Sequence, residues 1–149
     1  MTNPTAAMLV IGDEILSGRT RDTNTHHLAG ELTKQGINLK EVRVISDDAV
    51  SIVAAVRKLS SIYMHVFTSG GIGPTHDDIT ADCVAEAFGS HIEIRDDARA
   101  ILQTHYDAQN LPLNDARLRM ARIPEKATLI DNPISNCLLY TSPSPRDSR

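Results

Sequence analysis

Residues 63–80 read YMHVFTSGGIGPTHDDIT. The apolar run that ends near Thr68 reads as a strand, and the glycines that follow mark the turn by which it leaves the sheet. Gly70, Gly71 and Gly73 permit positive φ and close backbone approach, so successive amide N–H groups can converge on one concavity. Pro74 is placed to open a helix, where its missing N–H costs nothing, and the helix N-terminus adds unpaired amides and partial positive charge. The expectation is an anion cradle, best suited to a phosphate, formed by Gly70, Gly71 and Gly73 with Ser69, Thr75 and Thr80 beside them. It is neither a G-x-G-x-x-G fingerprint nor a loop ending in Gly-Lys-Ser/Thr.

Outward from this stretch, strand and helix signals alternate. AAMLVIG (6–12) is a continuous apolar run, as in a strand buried on both faces, and DEILSGRTRDTN (13–24) reads as a polar loop. A helix fits from Thr23 to Gln35, with Leu28 and Leu32 on one face, Asp22 or Thr23 as cap and Gly36 as its stop. INLKEVRVI (37–45) follows as a strand, and SDD caps a helix whose Ile52, Val53, Val56 and Leu59 form a core-facing stripe. Beyond the glycine loop a helix runs to Gly89 with Ile79, Cys83, Val84, Ala87 and Phe88 on one side. HIEI (91–94) is a short strand, residues 95–110 a helix, and NDARLRMA (114–121) a shorter helix capped by Asn114. Such alternation implies an α/β fold with right-handed crossovers and a mostly parallel sheet covered on both faces.

Ligands of open parallel sheets bind outside the carboxyl ends of the strands. The loops GDEILSG (12–18) and SGGIGPTHDD (69–78) both leave such ends, so Gly12 and Asp13 are expected on the same edge as the glycine loop. Asp77 and Asp78 beside a phosphate would repel it unless something offsets their charge. Helix capping accounts for one of them. Two in a row, with Asp13 and Glu14 nearby, exceed what capping needs. Either a divalent ion such as magnesium, held by Asp13, Asp77 and Asp78, bridges carboxylate and phosphate, or a carboxylate accepts hydrogen bonds from the amino groups of a purine or pterin ring. In both cases Asp13 and Asp78 are the candidate catalytic residues. His76 reads either as a ligand, proton shuttle or phosphate partner or as an exposed loop histidine, whereas His26 and His27, adjacent on a helix, face different directions and form no metal pair.

Composition narrows the classes. The 149 residues carry a formal net charge of -4 and only 3% aromatics, which disfavours nucleic-acid binding for want of both positive charge and stacking rings. The first apolar run is far shorter than the ~20 residues that cross a bilayer, and no basic leader precedes it, so no membrane role and a cytoplasmic location are expected. Cys83 and Cys137 have no metal-type or redox-type spacing around them, which argues against a disulfide scaffold.

GDEILSGRTRDTNTHHLAGEL together with TSGGIGPTHDDIT resembles the MoaB/Mog molybdopterin-binding domain, and more specifically the form found in the competence/damage-inducible protein A (CinA) family. The resemblance covers about residues 6–135. In the wider group the second motif runs Gly-Gly-Thr-Gly, four residues, Asp, any residue, Thr, which falls here on Gly70, Gly71, Ile72, Gly73, Asp78 and Thr80. Ile72 stands where the group has threonine, and the Pro-Thr-His-Asp insert favours the CinA branch. The resemblance implies a three-layer α/β/α fold, homo-oligomers, and a pocket for molybdopterin or a nucleotide diphosphate. In the CinA branch it implies metal-dependent hydrolysis of ADP-ribose-like pyrophosphates; in the wider group, pterin binding through the same loop for molybdenum cofactor synthesis. A regulatory ligand-binding module without turnover is the third class. After LIDNPIS the family pattern breaks off into NCLLYTSPSPRDSR (136–149), so the domain is expected to span 1–135, incomplete at its C-terminal end, with 136–149 a disordered tail of non-native origin.

Overall fold

The computed structural model describes residues 2–132 and 138–144. Strand Thr5–Ile11 (β1) is buried from Ala6 onward, on both faces, which is what its unbroken apolar sequence requires of a central strand. It pairs in parallel with Asn38–Ile45 (β2) on one side and His65–Ser69 (β3) on the other, giving the order β2-β1-β3. The chain divides into two compact units, Met1–Gly71 and Ile72–Arg149.

In the first unit the chain leaves β1 through one helical turn, Asp13–Leu16 (α1), and the helix Asn24–Lys34 (α2) before entering β2. It returns through Ala49–Ile62 (α3) to β3. These crossovers run in opposite directions from the centre of the sheet, so right-handedness places α2 and α3 on opposite faces. α3 packs on β1 and β3 through Ile52, Val53, Ala55, Val56 and Leu59. Ile52 and Leu59, both fully buried, each stabilise by about 2 kcal/mol. Asp48 caps α3, its carboxylate accepting from Ser51 N at 2.9 Å and Ser51 Oγ at 2.7 Å. One expectation needs correction here: 13–24 is not wholly loop, because Ser17 N donates to Asp13 O at 2.9 Å and closes α1.

The second unit consists of Thr80–Ala87 (α4), Ile92–Ile94 (β4), Asp96–Ala108 (α5), Asp115–Leu118 (α6), a 3-10 turn at Arg119–Ala121, Arg122–Pro124 (β5), Thr128–Ile130 (β6) and Leu139–Thr141 (β7). β4 pairs with β5, and β6 with β7, both antiparallel, so two small ribbons accompany the parallel sheet of this α/β fold. The core gathers Leu102, Tyr106, Met120, Ile123 and Leu138, with Leu129 and Tyr140 packed against it. Arg95 ties the segments together: its Nη1 donates to Pro124 O at 3.2 Å and Ala127 O at 2.6 Å, while Nη2 reaches Asp97 Oδ2 at 2.7 Å. Asn114 caps α6 as expected, accepting from Arg117 N at 2.9 Å.

Two expectations meet a different structure in this unit. α4 begins at Thr80, not at Pro74. Thr75 donates both its N–H (2.9 Å) and its hydroxyl (2.8 Å) to Asp78 Oδ2, and Asp78 N donates to Thr75 O at 3.1 Å, so a local turn holds the backbone that would otherwise have started the helix. In place of a disordered tail from 136, residues 139–141 form β7. Leu138 is buried and Tyr140 packs against the core, so the apolar Leu-Leu-Tyr run anchors this segment. Burial, with the nearby charges of Asp82 and Cys83, pushes the Tyr140 phenol well above its ordinary pKa. Residues 133–137, including Cys137, and 145–149 lie outside the described residues. Among the described residues no helix is long and apolar enough to cross a membrane.

Candidate functional site

The strand order places a topological switch point between β1 and β3, since one crossover leaves β1 to one side and the next returns on the other. Two of the predicted loops begin there, and they are physically adjacent. Val10 is paired with Ser69, and Gly70 packs directly on the end of β1. Gly70 has φ +97°, and a Cβ at this position would lie 1.9 Å from Ile11 O, so no side chain fits without moving the sheet. Gly71 follows with φ +69°, a second consecutive left-handed residue. Gly12 is less demanding: its φ of 163° is extended, and an added Cβ would meet only the movable carboxylate of Glu14.

Asp13 stands at the start of α1, but its nearest carboxylate partner comes from the end of β2. Asp13 N donates to Asp47 Oδ2 and Asp47 N donates to Asp13 Oδ1, each at 3.2 Å. This reciprocal pair ties the loops after β1 and β2 together, helped by Gly12 N donating to Ile45 O at 3.0 Å. In the sequence Asp47 reads only as part of the Ser-Asp-Asp helix start. A contact spanning 34 residues leaves no local signature. Asn24, at the first turn of α2, donates from Nδ2 to Ser69 Oγ at 3.0 Å. Thus Gly12, Asp13, Ser69, Gly70 and Gly71 gather in the first unit, joined by Asp47 and Asn24.

The remaining predicted residues belong to the second unit. Asp78 uses Oδ2 to fold its own loop through Thr75, and an added Cβ at Gly73 would come within 2.8 Å of that same oxygen. Gly73, Thr75 and Asp78 therefore form one compact turn. Asp77 points to His76, with Nε2 at 3.4 Å from Oδ1, and both side chains are largely exposed. Thr80 is 1% exposed, so no ligand reaches its side chain while α4 stays folded.

The divalent-ion reading can be tested against these groups. Asp13 gives one oxygen to a backbone amide, and Asp78 gives one to an amide and a hydroxyl. Among the described residues no three His, Cys, Asp or Glu side chains gather where they could hold an ion. The carboxylates do not make a ready metal centre. What the first unit does offer is a glycine turn at a switch point, flanked by a serine hydroxyl, an amide side chain and two carboxylates.

Comparison with known proteins agrees with this architecture. The family described as "Probable molybdopterin binding domain" matches residues 7–134. The crystal structure of the protein CinA, of unknown function, from Thermoplasma acidophilum superposes with a TM-score of 0.85 at 33% identity, covering 94% of this chain and 82% of that one. The tungsten cofactor synthesizing protein MoaB from Pyrococcus furiosus shares the fold, with a TM-score of 0.56 at 16% identity over 94% of this chain and 81% of that one. A probable FAD synthase from Caenorhabditis elegans is 50% identical over 95 residues, 64% of this chain but only 18% of its own length. The present chain thus corresponds to one part of that relative. With its match running from the first strand to the residues after the sixth, the chain belongs to the family of probable molybdopterin binding domains and is similar in fold and sequence to CinA.

Proposed function

We propose that the C-terminal edge of β1 and β3 binds an organic phosphate carrying a heteroaromatic ring, either a pterin phosphate such as molybdopterin or a nucleotide pyrophosphate. The observation that carries this reading is the Gly70–Gly71 turn, two consecutive left-handed residues, of which Gly70 lies against the end of β1 and leaves no space for a side chain. Such a turn presents main-chain amides to an oxyanion at close range. Gly12 and Ser69 border the same edge. On the grounds of the sequence motif, Gly73, Thr75 and Asp78 belong to the reading as well, whereas Thr80, buried at the start of α4, does not. The family's description supports the pterin, and the similarity to a probable FAD synthase supports a nucleotide.

The finer reading is hydrolysis of ADP-ribose-like pyrophosphates, with Asp13 and Asp78 as the residues on which turnover depends. A divalent ion that accompanies the pyrophosphate belongs to the substrate. Asp13 and Asp47 follow β1 and β2 on the same sheet edge as the Gly70–Gly71 turn, and their negative charge disfavours a bare phosphate there relative to one whose charge is already partly neutralised. A cytoplasmic homo-oligomer completes this reading, and light scattering of the purified protein tests its second half.

The deciding experiment measures release of AMP from ADP-ribose by the purified chain, with and without magnesium, beside an Asp78→Asn variant. The expected result is magnesium-dependent release that the variant loses while keeping its circular dichroism. Release retained by Asp78→Asn removes that residue from the mechanism. Binding of ADP-ribose without release by the wild type leaves a binding module, the second reading, which the family description favours.

A further inference from the structure

The start of α2 carries one side chain more than its own capping uses. Asp22 does the capping: Oδ1 accepts from Asn24 N at 3.0 Å and Thr25 N at 3.3 Å, and Oδ2 accepts the Thr25 hydroxyl. The Asn24 carboxamide is released from that task. It reaches 45 residues along the sequence and donates from Nδ2 to Ser69 Oγ at 3.0 Å.

A serine hydroxyl has one proton to give and two lone pairs to receive. When an amide N–H occupies a lone pair, the hydroxyl proton must go to another acceptor. Ser69 closes β3 directly before Gly70, at the switch point, so an acceptor arriving at this edge is the natural recipient. We propose that Asn24 is a positioning residue that holds Ser69 Oγ as a hydrogen-bond donor toward a phosphate oxygen of the bound ligand. The inference rests on the anion-binding reading above and sharpens it: a hydroxyl held as a donor favours an ionised oxyanion, the stronger acceptor, over a neutral hydroxyl. Asp22 is part of the arrangement, because without its cap the Asn24 side chain would be drawn back to the helix terminus.

The test titrates the full chain with ADP-ribose and with inorganic pyrophosphate, each with magnesium present, by calorimetry. Asn24→Asp is expected to weaken binding at least about tenfold, since its carboxylate takes the serine proton for itself and adds negative charge. Asn24→Ala and Ser69→Ala should each weaken binding, and the double variant should bind no worse than Ser69→Ala alone. A nitrogen-15 NMR spectrum of the unliganded protein reads the pair directly: the Asn24 side-chain amide signals should shift in Ser69→Ala. Circular dichroism and the thermal midpoint confirm that the variants remain folded. Undiminished binding by Asn24→Asp, or unmoved Asn24 signals in Ser69→Ala, overturns the role of Asn24 while leaving the anion site standing. Failure of the wild type to bind either probe overturns the anion reading and this inference with it.

Discussion

The two units are held in different ways. In the first, the positions of the functional loops follow from backbone: a parallel ladder on each side of β1, and a glycine laid against the carbonyl of Ile11. In the second, strands of three residues supply little pairing, and side chains carry the connections: Arg95 to the carbonyls of Pro124 and Ala127, Arg122 to Asp82, and the Leu138–Tyr140 segment to the core. A backbone scaffold fixes where a loop starts almost independently of which residues decorate it. A side-chain scaffold can be dismantled one tie at a time.

The largest effect should come from the scaffold that has no adjustable part. Gly70→Ala is expected to cost about 4 kcal/mol or prevent folding, because left-handed strain is added to a backbone clash. Gly89→Ala, at φ +63° with nothing within 4 Å of the new Cβ, is the matched control and should cost only about 1–2 kcal/mol. Urea unfolding of both variants measures the difference. Equal losses would mean that the close approach to Ile11 is not what fixes the first unit. Arg95→Ala should cost about 2 kcal/mol, since two carbonyls lose a charged donor. Hydrogen exchange should locate that loss in β4, β5 and β6 while β1–β3 keep their protection. Protection falling equally everywhere would break the contrast between the units.

The smallest effect is electrostatic. The hydroxyl of Ser51, and then its amide, hold the Asp48 carboxyl below its ordinary pKa. A carboxyl lowered by folding stabilises fully above its unfolded pKa, and that contribution drains away as pH falls through the lowered folded value. Asp48→Asn keeps a cap but has no proton to take up, so its thermal midpoint should decline less steeply on the acid side of the ordinary aspartate range. Identical acid limbs for wild type and variant would show that this cap is not a pH-sensitive part of the first unit.

The same contrast governs what the sequence reveals. β1 stands out because it is an unbroken apolar run, β2 and β3 because they carry the β-branched and aromatic residues Val42, Val44, Ile45, Val66 and Phe67, and α3 and α5 because their stripes repeat over several turns. The adjacency of Gly12 and Ser69 follows from parallel topology, so that much of the candidate site is legible too. Asp47 is not, because its partner Asp13 is 34 residues away and both carboxylates have ordinary local duties as helix-start residues. The Thr75–Asp78 turn was obscured by Pro74, whose preference for a first helical turn lost to two hydrogen bonds on one carboxylate oxygen. α1, at four residues, and β5 to β7, at three each, are too short for any period to show.

The central position of β1 also bears on how the chain is made. Thr5 pairs with Asn38, and Ala6 pairs with His65, so the strand at the middle of the sheet precedes both of its neighbours in the order of synthesis. At about 5–20 residues per second, a ribosome takes on the order of 3–12 seconds to add the stretch between β1 and β3. No hairpin shelters β1 meanwhile, because parallel partners cannot come from adjacent sequence. The most deeply buried strand of the finished unit is therefore the one left waiting longest as the nascent chain grows, and it is there that a chaperone would have most to protect.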